Sequence, residues 1–148
     1  MRWENTIVID APVDVVWALT LDVERWPETT PTMTRVTRLD DGPLRVGSRA
    51  RIKQPMQAEA VWTVTRLLDG REFAWQTTLM GLTMTGSHVL AAAGDGCRNT
   101  LAIEVTGRGA GLFWMLFGGL LRRAITTENL GFRAAAERAR EQVDPSTA

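Results

Sequence analysis

The chain predicts an α+β fold in which a seven-stranded, curved antiparallel sheet wraps round one long C-terminal helix. Three observations carry that expectation. From about Gly111 to Val143, Phe117, Leu121, Ala124, Phe132, Ala135 and Ala139 recur at helical spacings and form one apolar stripe. From Thr34 to Thr106 the chain is a run of short alternating segments separated by turn sequences. Two short helical segments follow the first strand, and nothing helical follows them until the end. A twisted sheet and a single amphipathic helix bury their apolar faces together only if the sheet curls round the helix.

Trp3 to Ile9 opens the chain as a half-buried strand, with Trp3, Asn5, Ile7 and Ile9 on one face. Asp10-Ala11-Pro12 then starts a helix. Pro12 suits its first position, and Asp10 or Asp14 suits its unpaired N–H groups. Val15, Val16 and Leu19 make its inner face, and a second helical turn, Asp22 to Trp26, is closed by Pro27. Strands are expected at 33–39, 46–54, 59–68, 72–79, 83–91 and 99–106. Turns fall at Asp40-Asp41-Gly42-Pro43, Asp69-Gly70, Gly81 and Gly94-Asp95-Gly96. Alternation puts Ala50, Ile52 and Gln54 inside on one strand and Trp62 and Val64 on the next. It then puts Phe73, Trp75, Thr77 and Leu79, followed by Met84, Gly86, His88 and Leu90, inside as well; a bulge would flip the phase. Arg49 and Arg51 fall on the solvated face.

The final helix carries two residues that do not belong chemically in its stripe, Glu128 and Gly131. A carboxylate followed by a missing side chain suggests a helix that borders a cavity. Gly107, Gly109 and Gly111, then Gly118-Gly119, frame its start. They read either as a hinged lid with Leu112, Phe113 and Trp114 as its lip, or as positions that permit tight packing. The most apolar run, 110–121, is about 12 residues and too short to span a bilayer. It reads as a buried helix start that could touch a membrane surface.

A length of 148 residues with 45% apolar and 23% charged residues suits one globular domain, taken as 1–143, with 144–148 a frayed tail. The formal net charge is zero and the basic residues are dispersed, which argues against nucleic acid. One cysteine, Cys97, and one histidine, His88, leave little for a disulfide framework or a transition-metal site, so no metal and no cofactor are expected. Met1-Arg2-Trp3-Glu4-Asn5 holds no apolar signal segment, and a cytoplasmic location is expected. Oligomeric state leaves no mark on this sequence.

Ile9-Asp10-Ala11-Pro12-Val13-Asp14-Val15-Val16-Trp17 with Trp26-Pro27 resembles the opening of START-like (SRPBCC) helix-grip proteins. Ile52-Lys53-Gln54-Pro55, Val61-Trp62-Thr63-Val64, Phe73-Ala74-Trp75, Gly86-Ser87-His88 and Thr106-Gly107 resemble its polyketide cyclase/dehydrase and lipid-transport branch. The resemblance runs to about Arg140 and implies a helix-grip fold with a hydrophobic cavity between sheet and long helix. Pollen-allergen-type relatives carry a glycine-rich loop where this chain has Asp40-Asp41-Gly42-Pro43-Leu44-Arg45-Val46-Gly47, so phosphate binding is not implied. Cyclases of this fold often use a pocket tyrosine, and this chain has no tyrosine.

The candidate chemistry is therefore a pair, His88 and Glu128. If both face the cavity, the carboxylate fixes the imidazole's tautomer, and an imidazole is the side chain suited to moving protons near neutral pH. The alternative is a structural contact that ties helix to sheet. Gln54, Trp62, Trp75, Met84, Phe117 and Leu121 are the expected ligand contacts. The expected function is to carry or sense a small hydrophobic, lipid-like or polyketide-like molecule. The alternative is a cofactor-independent polyketide cyclase or dehydrase, and a third reading is docking on membrane machinery through 110–121. A cavity below roughly 300 Å³ would count against the first two.

Overall fold

Residues 1–143 are described by a computed structural model, and the tail expected at 144–148 lies outside them. Strand β1 (Arg2–Ile9) leads into α1 (Val13–Leu21), a 3-10 turn (Val23–Arg25) and α2 (Trp26–Thr29). Strands β2 (Arg35–Arg38), β3 (Arg49–Lys53), β4 (Ala60–Leu68), β5 (Glu72–Leu79), β6 (Leu82–Ala93) and β7 (Gly96–Gly107) follow, and α3 (Ala110–Val143) ends the described chain. The sheet is antiparallel in the order β1-β7-β6-β5-β4-β3-β2. Every neighbouring pair is consecutive in the chain except β1–β7, where Arg2 faces Glu104 and Ile9 faces Cys97. Helix α3 packs on β1 and β7 and also meets α1 and α2. The seven-stranded, helix-grip-like α+β arrangement is the one that the alternation implies.

Several local expectations change. Helix α1 begins at Val13, so Pro12 is its N-cap rather than its first residue; the Pro12 carbonyl accepts from the Val15 and Val16 N–H groups. Neither acid caps it from that position. Asp14 accepts only from the adjacent Val15 N–H (3.1 Å), while Asp10 pairs with Arg140 of α3 at 2.6 Å. That exposed pair contributes at most about 1 kcal/mol, but it draws the far end of α3 to the β1–α1 corner. Pro27 does not close a helical turn: it lies in the first turn of α2, where a missing N–H costs nothing.

The strand faces follow the expected phase through Ala50, Ile52, Trp62, Val64, Phe73, Trp75, His88 and Leu90, all buried. A register shift between Val64 and Arg66 turns Leu67 back toward the core, opposite Phe73. Leu79 departs from expectation and is 67% exposed, because it ends β5 at a hairpin tip beyond the core. On α3 the buried line is Trp114, Gly118, Ile125, Glu128, Asn129, Phe132 and Ala136, not the stripe through Phe117. Phe117 lies about 80° round the helix from Ile125; it is 44% exposed and packs on Phe113 instead.

Gly131 also has a different role from the one expected. It does not make room for a cavity; a Cβ there would stand 2.2 Å from the Thr29 carbonyl oxygen of α2. Its bareness lets α2 lie directly against α3. Behind that contact Trp26, 1% exposed, touches Phe73, Trp75, His88 and Phe132 with ring centroids 4.9–5.7 Å apart. Replacing Gly131 by alanine gains about 1 kcal/mol of helix propensity. Forcing a backbone carbonyl aside costs up to about 3 kcal/mol. The Gly131→Ala protein is therefore expected to lose about 2 kcal/mol in urea unfolding, and an unchanged midpoint would show that α2 yields freely.

Candidate functional site

The site is built by register. Pairing of β5 with β6 sets Phe73 opposite His88 and Trp75 opposite Gly86, so Met84, Gly86 and His88 share the inner face. Helix α3 brings Leu121, Ala124, Ile125 and Glu128 over them at three- and four-residue intervals. Met33 closes the side where α2 runs into β2, and Gln54 stands just past the end of β3. Together these residues enclose a cavity of about 120 Å³ with Trp62, Trp75 and Gly86 in its wall. Of the lining residues, Gln57 and Leu120 are the ones exposed to solvent, and they mark the mouth.

The cavity is smaller than the roughly 300 Å³ expected of a ligand pocket, which counts against the carrier and the cyclase readings for any ligand larger than one ring unless the cavity widens. It is close to the volume of a buried site that accepts a single benzene ring, about 150 Å³. A wider hollow of about 470 Å³ near Val13, Leu68 and Val89 is an open surface depression, not an enclosed site.

His88 and Glu128 do meet. His88 Nε2 lies 3.5 Å from Glu128 Oε1, with the residues 3% and 6% exposed. That is long for a hydrogen bond but close for a charge pair. The other carboxylate oxygen accepts from the Thr32 hydroxyl at 3.4 Å, and Thr32 is linked in turn to Thr30 at 2.9 Å. A carboxylate buried this deeply is held by two long contacts only, an under-satisfied state for such a group. The imidazole is otherwise ringed by Trp26, Phe73 and Phe132, at centroid distances of 5.0, 5.8 and 5.2 Å.

Four side-chain polar atoms among the described residues are buried without a protein partner; His88 Nδ1 and Trp62 Nε1 belong to cavity-wall residues, Arg38 Nε and Asn99 Oδ1 do not. The indoles of Trp17 and Trp26, by contrast, donate to Asp69 (3.0 Å) and to the Leu19 carbonyl (3.1 Å). Buried donors and acceptors in native proteins rarely stay unpaired. Cys97 does not join this site: it is fully buried at the start of β7, and burial pushes its thiol up from the usual value, which suits an inert side chain. Among the described residues no group of three or more His, Cys, Asp and Glu side chains comes together to hold a metal.

Of the expected contacts, Gln54, Trp62, Trp75, Met84 and Leu121 line the cavity beside His88 and Glu128, and Phe117 does not. Sequence reasoning missed Ile125, Thr32 and Met33. Ile125 would have appeared had the stripe been centred one position differently. Thr32 sits in an irregular segment with no periodic signal, and Met33, expected to open a strand at 33–39, lies just before β2 instead.

This architecture is that of a known group. The family described as "Polyketide cyclase / dehydrase and lipid transport" matches residues 2–141, and the chain belongs to it. A "Putative polyketide cyclase" of Streptomyces halstedii is 35% identical over 72 residues, 49% of this chain and 55% of that protein; the match thus spans about half of that relative's length. Among solved structures, the Zhui aromatase/cyclase of Streptomyces sp. R1128 superposes with a TM-score of 0.69 at 20% identity, covering 97% of this chain and 95% of that one. A protein of Thermus thermophilus superposes with a TM-score of 0.75 at 17% identity, covering 94% and 99%. At those identities the two structures speak for the fold.

Gly86 gives a direct test of the cavity wall. A Cβ there would meet Trp75 at 3.6 Å and Trp62 at 3.9 Å, ordinary contact distances. Gly86→Ala is therefore expected to match or exceed the native stability by about 0.5–1 kcal/mol. Gly86→Leu is expected to fold but to lose uptake of a small aromatic probe such as indole, measured by calorimetry.

Proposed function

We propose that the protein binds a small, largely apolar ligand carrying a carbonyl or hydroxyl oxygen in the cavity between sheet and α3. One observation carries this reading: an apolar cavity whose wall residues include two buried polar atoms, Trp62 Nε1 and His88 Nδ1, with nothing in the protein to pair with them. A ligand oxygen supplies an acceptor for the indole N–H. The family points the same way, since polyketides and lipids join apolar bodies to such oxygens. Trp62, Trp75, Met84 and Leu121 contact the body of the ligand, and Gln54 beside the exposed Gln57 meets its outer end.

At about 120 Å³ the cavity holds one ring, so a larger ligand requires the mouth beside Leu120 to widen. The glycine pair on α3 is placed for that. Gly118 has a packing reason to be bare, because the Trp114 indole lies 3.2 Å from where its Cβ would be; Gly119 has none, with no atom within 4 Å. Glycine at 119 lowers helix stability by about 1 kcal/mol, and no close packing offsets that cost. Gly119→Ala is expected to raise the unfolding temperature and to slow ligand entry in stopped-flow fluorescence; an unchanged entry rate would remove the helix start from the route.

Cyclisation or dehydration is the second reading, favoured by the approach of His88 Nε2 to Glu128 within the cavity wall. A neutral imidazole would take a proton from a carbon next to a ligand carbonyl, and the carbanion would add to a second carbonyl. The imidazolium, stabilised by the Glu128 carboxylate, would return the proton to the new alkoxide. No oxidant or cofactor enters that sequence.

Trp62→Phe and His88→Ala separate these readings. Trp62→Phe is expected to weaken a carbonyl-bearing aromatic ligand by up to about tenfold and to leave its hydrocarbon analogue unaffected. Equal losses for both would remove the indole from oxygen recognition. His88→Ala lowers affinity by no more than about tenfold in a binding protein and abolishes ring closure in a cyclase. Native mass spectrometry of the protein from its own source would identify the ligand class directly.

A further inference from the structure

The apolar run 110–121, read from sequence as a buried helix start, is instead one of the most exposed apolar stretches of the fold. Leu112, Met115, Leu116 and Leu120 are 60%, 73%, 62% and 63% exposed, and no helix among the described residues is long and apolar enough to cross a membrane. Leu112, Leu116 and Leu120 follow one another at intervals of four and form an outward stripe opposite the buried Trp114–Gly118–Ile125 line.

The charge around this stripe has one sign. Between Glu104 and Glu128 the sequence holds Arg108, Arg122 and Arg123 and no acidic residue. Arg123 continues the stripe three residues after Leu120, and Arg122 lies over the Trp114 ring at 5.7 Å. The N-terminal turn of α3 carries no acid to offset its own partial positive charge.

Two loop tips add methionines beside the stripe. Met56, fully exposed, stands between the cavity-lining Gln54 and Gln57. Met80, 91% exposed, forms the β5–β6 turn with Gly81, whose carbonyl abuts Gly107 just before α3. Both methionines hold positive φ, 62° and 53°, where turns ordinarily place Asn, Asp or Gly. A large apolar residue that breaks a local rule and touches nothing marks a functional surface more often than a structural one.

We infer that the first turns of α3, with the Met56 and Met80 tips, form an interfacial face that docks on anionic lipid bilayers. The leucines enter the headgroup–acyl boundary, the methionines follow on either side, and Arg108 and Arg123 meet lipid phosphates. The combination of an apolar stripe with arginines and no acid in the helix start is what an anionic membrane surface complements. The cavity mouth, marked by Leu120 and Gln57, opens beside this face, so docking would set it against the lipid. This inference stands on exposure and charge and is independent of what the cavity holds.

Flotation or co-sedimentation with vesicles tests it. The full chain is expected to partition onto phosphatidylcholine vesicles that contain one quarter phosphatidylglycerol, to bind pure phosphatidylcholine weakly, and to be released by salt. Arg108→Gln/Arg123→Gln is expected to lower partitioning about thirtyfold, from two lost surface arginines. Leu112→Asp/Leu116→Asp is expected to abolish it without unfolding the chain, since both side chains stand in solvent and an acid at 112, in the first turn, favours α3. Thermal melts check that both variants fold. Vesicle binding that is absent in the native chain, or retained in both variants, overturns the inference. So does self-association or binding of an acidic protein that the leucine variant loses while vesicle binding stays absent.

Discussion

The fold depends on how α2 is wedged between the sheet and α3. Trp26 stands in the middle of that wedge, with the sheet rings Phe73 and Trp75 on one side and Phe132 of α3 on the other. Burying so large a ring in full is worth several kcal/mol, on the order of 3–5 by truncation. Its N–H is not left bare, because the Leu19 carbonyl at the end of α1 accepts it. Gly131 completes the arrangement by letting the α2 backbone rest on the helix. The wedge blocks the inner end of the space under α3. What remains open lies toward the helix start, where the cavity and its mouth are found.

The same wedge fixes the polar pair. His88 is packed against Trp26 on one face and reaches Glu128 with its outer nitrogen, so the imidazole has little freedom to turn. The asparagine cluster beside it is more tightly bonded, although Asn99 Oδ1 is itself buried without a partner. Asn129 of α3 donates to the Asn5 and Asn99 carbonyl oxygens and accepts from the Asn99 amide, at distances of 2.9–3.1 Å. That network ties α3 to β1 and β7 with short, direct bonds. Beside it, the 3.5 Å and 3.4 Å contacts of Glu128 are loose. The difference lies in bond length and in place: the Asn99 oxygen is enclosed between α3 and β7, whereas His88 and Glu128 stand in the cavity wall.

Most of the fold was legible because its signals are local. Two-residue alternation placed Trp62, Trp75 and His88 on the inner face, and turn residues bounded the strands within a few positions. The site was legible in part. Glu128 was visible as a carboxylate within an apolar stripe and strand phase turned His88 toward the helix, but their contact was not legible, because nothing local in the sequence sets how far apart helix and strand residues lie. Phe117 was misplaced because the stripe can be drawn through either Phe117 or Trp114, and only packing decides which ring enters the core. Gly131 was misread for a related reason: a bare position signals close approach, but the sequence does not name the approaching atom. Thr29, a hundred residues earlier in the chain, supplies it through a carbonyl that no side-chain pattern reports.

The apolar run of α3 escaped the same reading for a different physical reason. Helical periodicity finds one buried face, and 110–121 has apolar residues on both faces: Trp114 and Gly118 inward, Leu112, Leu116 and Leu120 outward. A helix that is apolar all round is normally buried all round. This one lies at the end of the sheet, where β5 and β6 finish in the exposed Leu79–Met80 tip, and among the described residues nothing covers its outer side. The cost of leaving that stripe in water is borne where the cavity also opens. A surface serving only solubility would carry charge at Leu112 and Leu116, as α3 does further along at Arg123 and Arg133. Helix start, glycine pair, cavity mouth and exposed stripe thus fall within the same few turns, so whatever covers the stripe also meets the entrance.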